Sequence, residues 1–262
     1  MWDRERVDDV RAYYEKILPF YEKESIACAH LDFWIGLARR WRPGRILEIG
    51  AGLGRITEAL SRQAPSVGID ISLEMLYLAS RRFPDRARAC LVAADMRRGV
   101  FACPFDLILA PNDPFCHLTS ALDRRQALRV VADQLSARGR FVLDGLYRKR
   151  KGFEPPGRRI RHERGVLEIS ETWLPIGSRQ LWRARYRYRE RRTGESARTV
   201  EASFVARAWD PRELRPQFNS CGLTVEQIWG DFEHRPFGGD STRIIVVARR
   251  AIRRGTLSRS RR

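Results

Sequence analysis

Lysine is nearly absent from this chain. Only four of its 50 basic residues are lysines (Lys16, Lys23, Lys149 and Lys151), and the rest are arginines. A GC-rich genome produces such a skew as readily as a binding function does. The net charge of +18 therefore leaves a nucleic-acid partner open without establishing one. No KH or RRM signature accompanies the charge. Long apolar runs are also lacking: no stretch of about 18 residues is free of charge, so no membrane span is expected. The first residues, MWDRERVDDV, are charged and lack the apolar core of a signal peptide. The five cysteines (Cys28, Cys90, Cys103, Cys116 and Cys221) are odd in number and never spaced as CxxC. That spacing suits thiols in a reducing cytoplasm and gives no metal site or disulfide framework.

What is present is an alternation of strands and helices. Residues 45–49, 66–70, 89–93, 105–110 and 140–146 are apolar runs of strand length. Helical stretches at 54–63, 73–82 and 122–135 separate several of them, with Ser72 as an N-cap and Phe83-Pro84 and Arg138-Gly139 as stops. This order predicts a doubly wound α/β sheet, Rossmann-like, with seven strands that are mostly parallel. Ahead of it, residues 2–17 and 23–41 carry helical spacing, interrupted at Pro19 and ended by Arg42-Pro43-Gly44.

After the fifth strand the pattern changes. Residues 148–164 are basic and rich in Gly and Pro, which predicts a crossover. Period-two alternation at 165–174, 180–190 and 199–208 predicts an antiparallel β-meander inserted after strand five. In its middle strand Trp182, Ala184, Tyr186 and Tyr188 alternate with Arg183, Arg185, Arg187 and Arg189, so one face is aromatic and the other cationic. The aromatic face would wall a pocket or pack on the body, and the arginines would meet solvent, carboxylates such as Glu168 and Glu201, or RNA phosphates. A helix at 211–221, capped by Asp210, and strands at 223–229 and 242–248 then complete the sheet. The expected organisation is a helical cap (1–44), a sheet core (45–147), the crossover and insertion as lid or dimer surface (148–209), the closing elements (210–249) and a basic tail (250–262).

The motif RILEIGAGLGRITEALSRQAPSVGIDIS (45–72) carries the chemistry. A strand enters a glycine loop (Gly50, Gly52, Gly54), a helix follows, and a second strand ends at Asp70. This is the layout of a nucleotide-type cofactor site, in which the terminal acid accepts from ribose hydroxyls. A dinucleotide loop spaces its glycines as G-x-G-x-x-G; here the third falls one place early and Arg55 follows. Glu48 sits at the loop's entrance, where a carboxylate repels a pyrophosphate and favours an ammonium or sulfonium. Asp95, followed by Met96, ends the third strand.

Together these residues resemble the class I S-adenosylmethionine (SAM) methyltransferases. E-I-G-A-G-L-G (48–54), V-G-I-D-I-S (67–72), A-A-D-M (93–96) and F-D-L-I-L-A-P-N-D-P-F-C-H-L (105–118) occur in that family's order. The resemblance implies that Gly50, Ala51, Gly52 and Gly54 line the methionine part of SAM, with Glu48 supporting the loop. It implies that Asp70 holds the ribose, Ile71 packs on the adenine, and Asp95 with Met96 fixes the adenine edge. In related small-molecule enzymes an N-terminal tyrosine touches SAM; Tyr21 and Tyr14 are the candidates here. The catalytic candidates follow strand four: Asn112, Asp113 and His117, with His117 as general base on the strength of an ordinary imidazole pKa near 6.5. His234 is a weaker candidate. Asn112-Asp113-Pro114-Phe115 departs at its second position from the D/N-P-P-Y/F tetrad of exocyclic-amine methylation, so that signature is discounted. The expected activity is methyl transfer from SAM to a nitrogen or oxygen of a small molecule or short peptide. An RNA methyltransferase and a catalytically silent SAM-fold binding protein are the alternatives, and a homodimer is left open.

Overall fold

The computed structural model describes residues 4–27, 30–81, 88–99, 101–147, 154–177, 180–241 and 243–251. Two helices lead, α1 (Arg4–Ala27) and α2 (Leu31–Trp41). The core then runs β1 (Ile46–Ile49), α3 (Arg55–Ser61), β2 (Ser66–Asp70), α4 (Leu73–Ser80), β3 (Ala89–Ala93), β4 (Phe105–Ala110), α5 (Ala121–Gln134) and β5 (Leu135–Gly145). The insertion comprises β6 (Arg158–His162), β7 (Gly165–Pro175), β8 (Leu181–Arg192) and β9 (Arg198–Arg207). Helix α6 (Pro211–Ser220), β10 (Leu223–Trp229) and β11 (Ile244–Arg250) close the chain.

The seven-stranded sheet has the order β10-β11-β5-β4-β1-β2-β3, and only the β5–β11 and β11–β10 pairs are antiparallel. Helices on both faces require strands that are apolar on both sides, and the central strands comply. Leu107, Ile108, Leu109 and Ala110 are wholly buried. The strand order reverses between β1 and β4. The C-terminal ends of the strands flanking that switch point form the crevice where open α/β sheets bind ligands. Glycine loop, Asp70 and the residues after β4 all emerge there.

The insertion is a separate four-stranded antiparallel sheet, β6-β7-β8-β9. Its alternation is the one read from sequence: Trp182, Ala184 and Tyr188 are buried, while Arg183, Arg185, Arg187 and Arg189 are exposed. Arg187 and Arg191 pair with Glu201 and Glu168 across the outward face. Tyr13, Ile17 and Phe20 of α1 pack with Leu167, Ile169 and Tyr188 on the inward face, so α1 is sandwiched against the insertion.

Four boundaries differ from the sequence expectation. Pro19 does not break the first helix; α1 continues through it to Ala27. An interior proline costs about 3 kcal/mol, but fully burying Ile17 and Phe20 on either side returns about 1.5–3 kcal/mol each. The first helix ends at Ala27 and α2 starts at Leu31 rather than at 23. Strand β5 begins directly after α5: Leu135 pairs with Phe105 before a register shift, and Arg138-Gly139 lies inside the strand rather than stopping the helix. The crossover contains a strand, β6, whose one apolar residue, Ile160, is too little for a periodicity signal. Cys28, Phe83-Pro84, residues 148–153 and the tail from 252 lie outside the described residues. Among the described residues no helix is long and apolar enough to cross a membrane.

The α1–insertion contact yields a stability prediction. Phe20→Ala removes a fully buried ring stacked on Tyr188, with centroids 5.5 Å apart. A loss of about 3–5 kcal/mol is expected, read as a lower urea midpoint; an unchanged midpoint would show that α1 does not hold the insertion.

Candidate functional site

The glycine loop has positive φ at all three glycines, 75° at Gly50, 52° at Gly52 and 71° at Gly54. Only glycine adopts this region without strain. Gly50 has a second reason: a Cβ there would lie 2.6 Å from Pro114, so the loop packs directly against the segment after β4. The backbone N–H groups of Gly50 and Ala51 both donate to Ile69 O, at 2.8 and 3.0 Å. Asp70 completes the fixation. Its Oδ2 accepts from Gly52 N at 2.8 Å and its Oδ1 from Ser72 N at 2.9 Å. Ser72 in turn caps α4 by accepting from Met75 N. Asp70 therefore joins loop, strand end and helix start. Burial raises its pKa, while the backbone donors of Ser72 and Gly52 oppose that shift.

Glu48 is buried beneath the loop and accepts a short hydrogen bond from Thr57 Oγ1 on α3. Burial pushes its pKa up to about 8, against the opposing hydrogen bonds from Thr57. At the end of β3, Asp95 is held by Arg97: the guanidinium reaches Asp95 Oδ2 at 2.6 Å, and Arg97 N donates to Oδ1 at 2.9 Å. The same guanidinium reaches Asp123 at 3.0 Å. Despite burial, these donors lower the Asp95 pKa.

After β4 the chain turns sharply, with φ of 54° at Asn112 and 48° at Asp113, into a 3-10 turn over Pro114–His117. The buried Asp113 carboxylate accepts from Leu146 N at 2.5 Å and Trp209 Nε1 at 3.1 Å. Burial raises its pKa to about 6, opposed by the buried Arg124 guanidinium. Arg124 stacks over Trp209 at 4.0 Å and donates to Ala208 O and Phe115 O. Asp113, Arg124 and Trp209 thus tie the loop to the ends of β5 and β9. Asn112 N donates to Asp144, whose carboxylate binds Arg243 at 2.6 Å. His117 Nε2 lies 3.0 Å from the Tyr14 hydroxyl, and Nδ1 has no partner among the described residues. Burial lowers the His117 pKa to about 4, so the imidazole is neutral near pH 7, unlike the ordinary value assumed from sequence.

The glycine loop, Glu48, Asp70, Asp95, Asp113 and His117 line one cavity of about 680 Å³. Of the residues singled out in sequence, Glu48, Gly50, Ala51, Gly52, Asp70, Ile71, Asp95, Met96, Asn112, Asp113, His117 and Tyr21 line it. Gly54 instead precedes α3 as its N-cap. His234 is elsewhere, packed on Trp229 and Phe33 at 4.4 and 5.2 Å between ring centroids. The far wall comes from α1 and the insertion: Tyr13, Tyr14, Glu171, Trp173, Tyr186 and Phe204. Sequence reasoning missed Glu171, Glu24, Asp144 and Arg243. Glu171 alone left a signal, as a carboxylate in the inward row Leu167, Ile169, Glu171, Trp173. Among the described residues no group of three or more His, Cys, Asp or Glu side chains could hold a metal.

Residues 46–139 match the methyltransferase domain family Methyltransf_25. The chain is 37% identical over 71 residues to the ribosomal RNA small subunit methyltransferase A of Gloeobacter violaceus. That match spans 27% of this chain and 26% of that protein, about a quarter of its length. Over nearly the whole chain the fold is similar to solved structures. CalS10, an amino pentose methyltransferase from Micromonospora echinaspora solved with SAM bound, superposes with a TM-score of 0.72 at 21% identity, covering 88% of this chain and 94% of that one. DesVI of Streptomyces venezuelae gives 0.74 at 17% identity, covering 90% and 98%. The sugar N-methyltransferase KedS8 from Streptoalloteichus gives 0.68 at 16% identity, covering 86% and 88%. The family match is confined to residues 46–139, and over most of its length the chain shares the fold of these SAM-dependent methyltransferases.

Glu48 sets a pH signature. Because its folded pKa lies above its unfolded one, the unfolded chain releases this proton first as pH rises. Glu48 therefore costs stability progressively between about pH 4.5 and 8. Glu48→Gln should remove that component, raising the melting temperature of the ligand-free protein by on the order of 5 °C at pH 8 but little at pH 4.5. Equal shifts at both pH values would contradict the assignment.

Proposed function

We propose that this protein transfers the methyl group of SAM to a nitrogen or oxygen atom of a small molecule or short peptide held in the cavity. The observation that carries this reading is that the loop fixed by Asp70 and the His117–Tyr14 pair open into one space. The residues fit the cofactor. The left-handed glycine loop offers close backbone approach, and Asp70, already ordered by two N–H groups, has lone pairs left for ribose hydroxyls. Glu48, neutral when buried alone, gains a counter-charge from a nearby cation. Ile71, Asp95 and Met96 line the side where adenine would lie, with the Asp95 carboxylate held in place by Arg97. Gly50, Ala51 and Gly52, with Tyr21 above them, would hold the methionine end.

SAM supplies a methyl carbon already activated by positively charged sulfur. The new C–N or C–O bond forms as C–S breaks, the electron pair returns to sulfur, and the acceptor gives up its proton. The chain's part is to position the acceptor, exclude water and receive that proton. His117 is the receiving group. It stays neutral to about pH 4, Tyr14 orients it through Nε2, and Nδ1 is unengaged among the described residues. Asp113 and Asn112 act by shape: the Asp113 oxygens are turned to Leu146 and Trp209, so it positions the loop.

Helix α1 and the insertion serve as a lid in this reading, since they supply the far wall, while α2 packs on the sheet core. The outward face of β8 is a row of arginines, which disfavours a homodimer through that face by like-charge repulsion. The same placement disfavours an RNA substrate, because phosphates bound to those arginines lie on the side of the sheet away from the cavity. The amino pentose and sugar N-methyltransferases of similar fold support a small-molecule acceptor. Cysteines outside any disulfide among the described residues, such as Cys90 and Cys103, suit a reducing cytoplasm.

Calorimetric titration of SAM tests the cofactor assignment. Asp70→Ala should weaken binding by about tenfold or more, through both the lost ribose acceptor and the released loop; unchanged affinity would contradict it. His117→Asn should lower kcat by about 10² while leaving SAM affinity within about threefold; a wild-type kcat would remove His117 from the proton's path.

A further inference from the structure

The acidic side chains of the cavity differ in what holds them. Glu24 is paired with Arg158 at 2.5 Å, Asp144 with Arg243 at 2.6 Å, and Asp95 and Asp123 share Arg97. Asp70 is held by backbone N–H groups, Asp113 by Leu146 and Trp209, and Glu48 by Thr57. Glu171 has no ion-pair partner among the described residues. It stands on β7 directly across from Tyr186 on β8, whose phenol is its one neutral hydrogen-bonding neighbour among the described residues; burial and this carboxylate raise the phenol's pKa, and no cation among those residues balances the charge.

Its position makes this costly. Strand alternation puts Glu171 on the inward face, between Ile169 and Trp173, which are 2% and 4% exposed. A carboxylate partly withdrawn from water needs a counter-charge. The walls around it also favour a cation. Trp173, Tyr186 and Phe204 face one another with ring centroids 5.9–6.4 Å apart, and Tyr13 lies 4.7 Å from Phe204. Aromatic faces attract ammonium groups, and their pull adds to that of a nearby carboxylate. Phe204 continues the same wall to His117, at 4.9 Å.

We infer that Glu171, with Trp173, Tyr186 and Phe204, is the receptor for an ammonium group, so that the substrate is an amine-bearing small molecule docked by its positive charge. This rests on the methyltransferase reading of the same cavity and narrows its substrate class from nitrogen or oxygen compounds to amines. It also gives the insertion a specific role, in which β7 carries the charge and β8 and β9 carry rings that frame it.

The test uses a pair of unreactive probes of one shape, choline and 3,3-dimethylbutan-1-ol, differing in a positive nitrogen against a neutral carbon. Binding to the S-adenosylhomocysteine-loaded protein is followed by intrinsic tryptophan fluorescence. Wild type should bind choline about tenfold more tightly or better than the neutral probe. Glu171→Gln should abolish most of that preference, leaving the affinities for the neutral probe and for S-adenosylhomocysteine within about twofold. Glu171→Asp, which retains the charge, should keep a measurable preference and guards against a variant that fails to fold. Equal binding of the two probes by wild type, or an intact preference in Glu171→Gln, would overturn the inference. Either result with normal S-adenosylhomocysteine binding leaves the methyltransferase reading standing, whereas failure of wild type to bind S-adenosylhomocysteine removes that reading itself.

Discussion

The site depends on the Asp70 carboxylate. One oxygen takes the N–H of Gly52 and the other that of Ser72, so three segments meet at a single side chain: the glycine loop, the end of β2 and the start of α4. The loop's three glycines have no side chains to pack, so apolar contact comes only from Ala51, Leu53 and the approach of Pro114. The loop is held by backbone hydrogen bonds to Ile69 and by this carboxylate. The arrangement sets a backbone conformation only glycine tolerates beside a carboxylate that lines the cavity. Arg11 of α1 donates to Ile71 O at 3.0 Å, extending the same junction to the helix above.

A second constraint is the division of charge between the two faces of the insertion. Outward-facing arginines keep the exposed side soluble, while the inward side supplies aromatic walls and contact with α1. The cavity is therefore built from two independent layers. The sheet core contributes glycines, carboxylates and the His117 loop; the insertion and α1 contribute rings and Glu171. Similar structures at 16–21% identity share this architecture over most of their length.

Much of this was legible in sequence because the relevant signals are local. The glycine spacing, the acid ending β2 and the period-two row of β8 each sit within a dozen residues, and backbone geometry alone interprets them. Other features depended on distant partners. Asp113 was visible as a carboxylate after β4, but its role as an anchor comes from Leu146 and Trp209, 33 and 96 residues away. The helix through Pro19 was misread because the burial of Ile17 and Phe20 on the insertion outweighs a local breaker. Strand β6 was missed because pairing with β7, not hydrophobic periodicity, holds it in place. His117 was found, but its ordinary pKa was assumed; burial, which single-sequence reading cannot see, lowers it to about 4.

The central claim is that one cavity joins a SAM site to a small-molecule acceptor. Incubation with SAM carrying a ¹³C methyl group, against a pool of small amines and alcohols and separately against total RNA, tests it most directly. The account predicts new ¹³C-methyl resonances in the small-molecule fraction and none in RNA. Label confined to RNA, or absent from both while SAM binds normally, would contradict it.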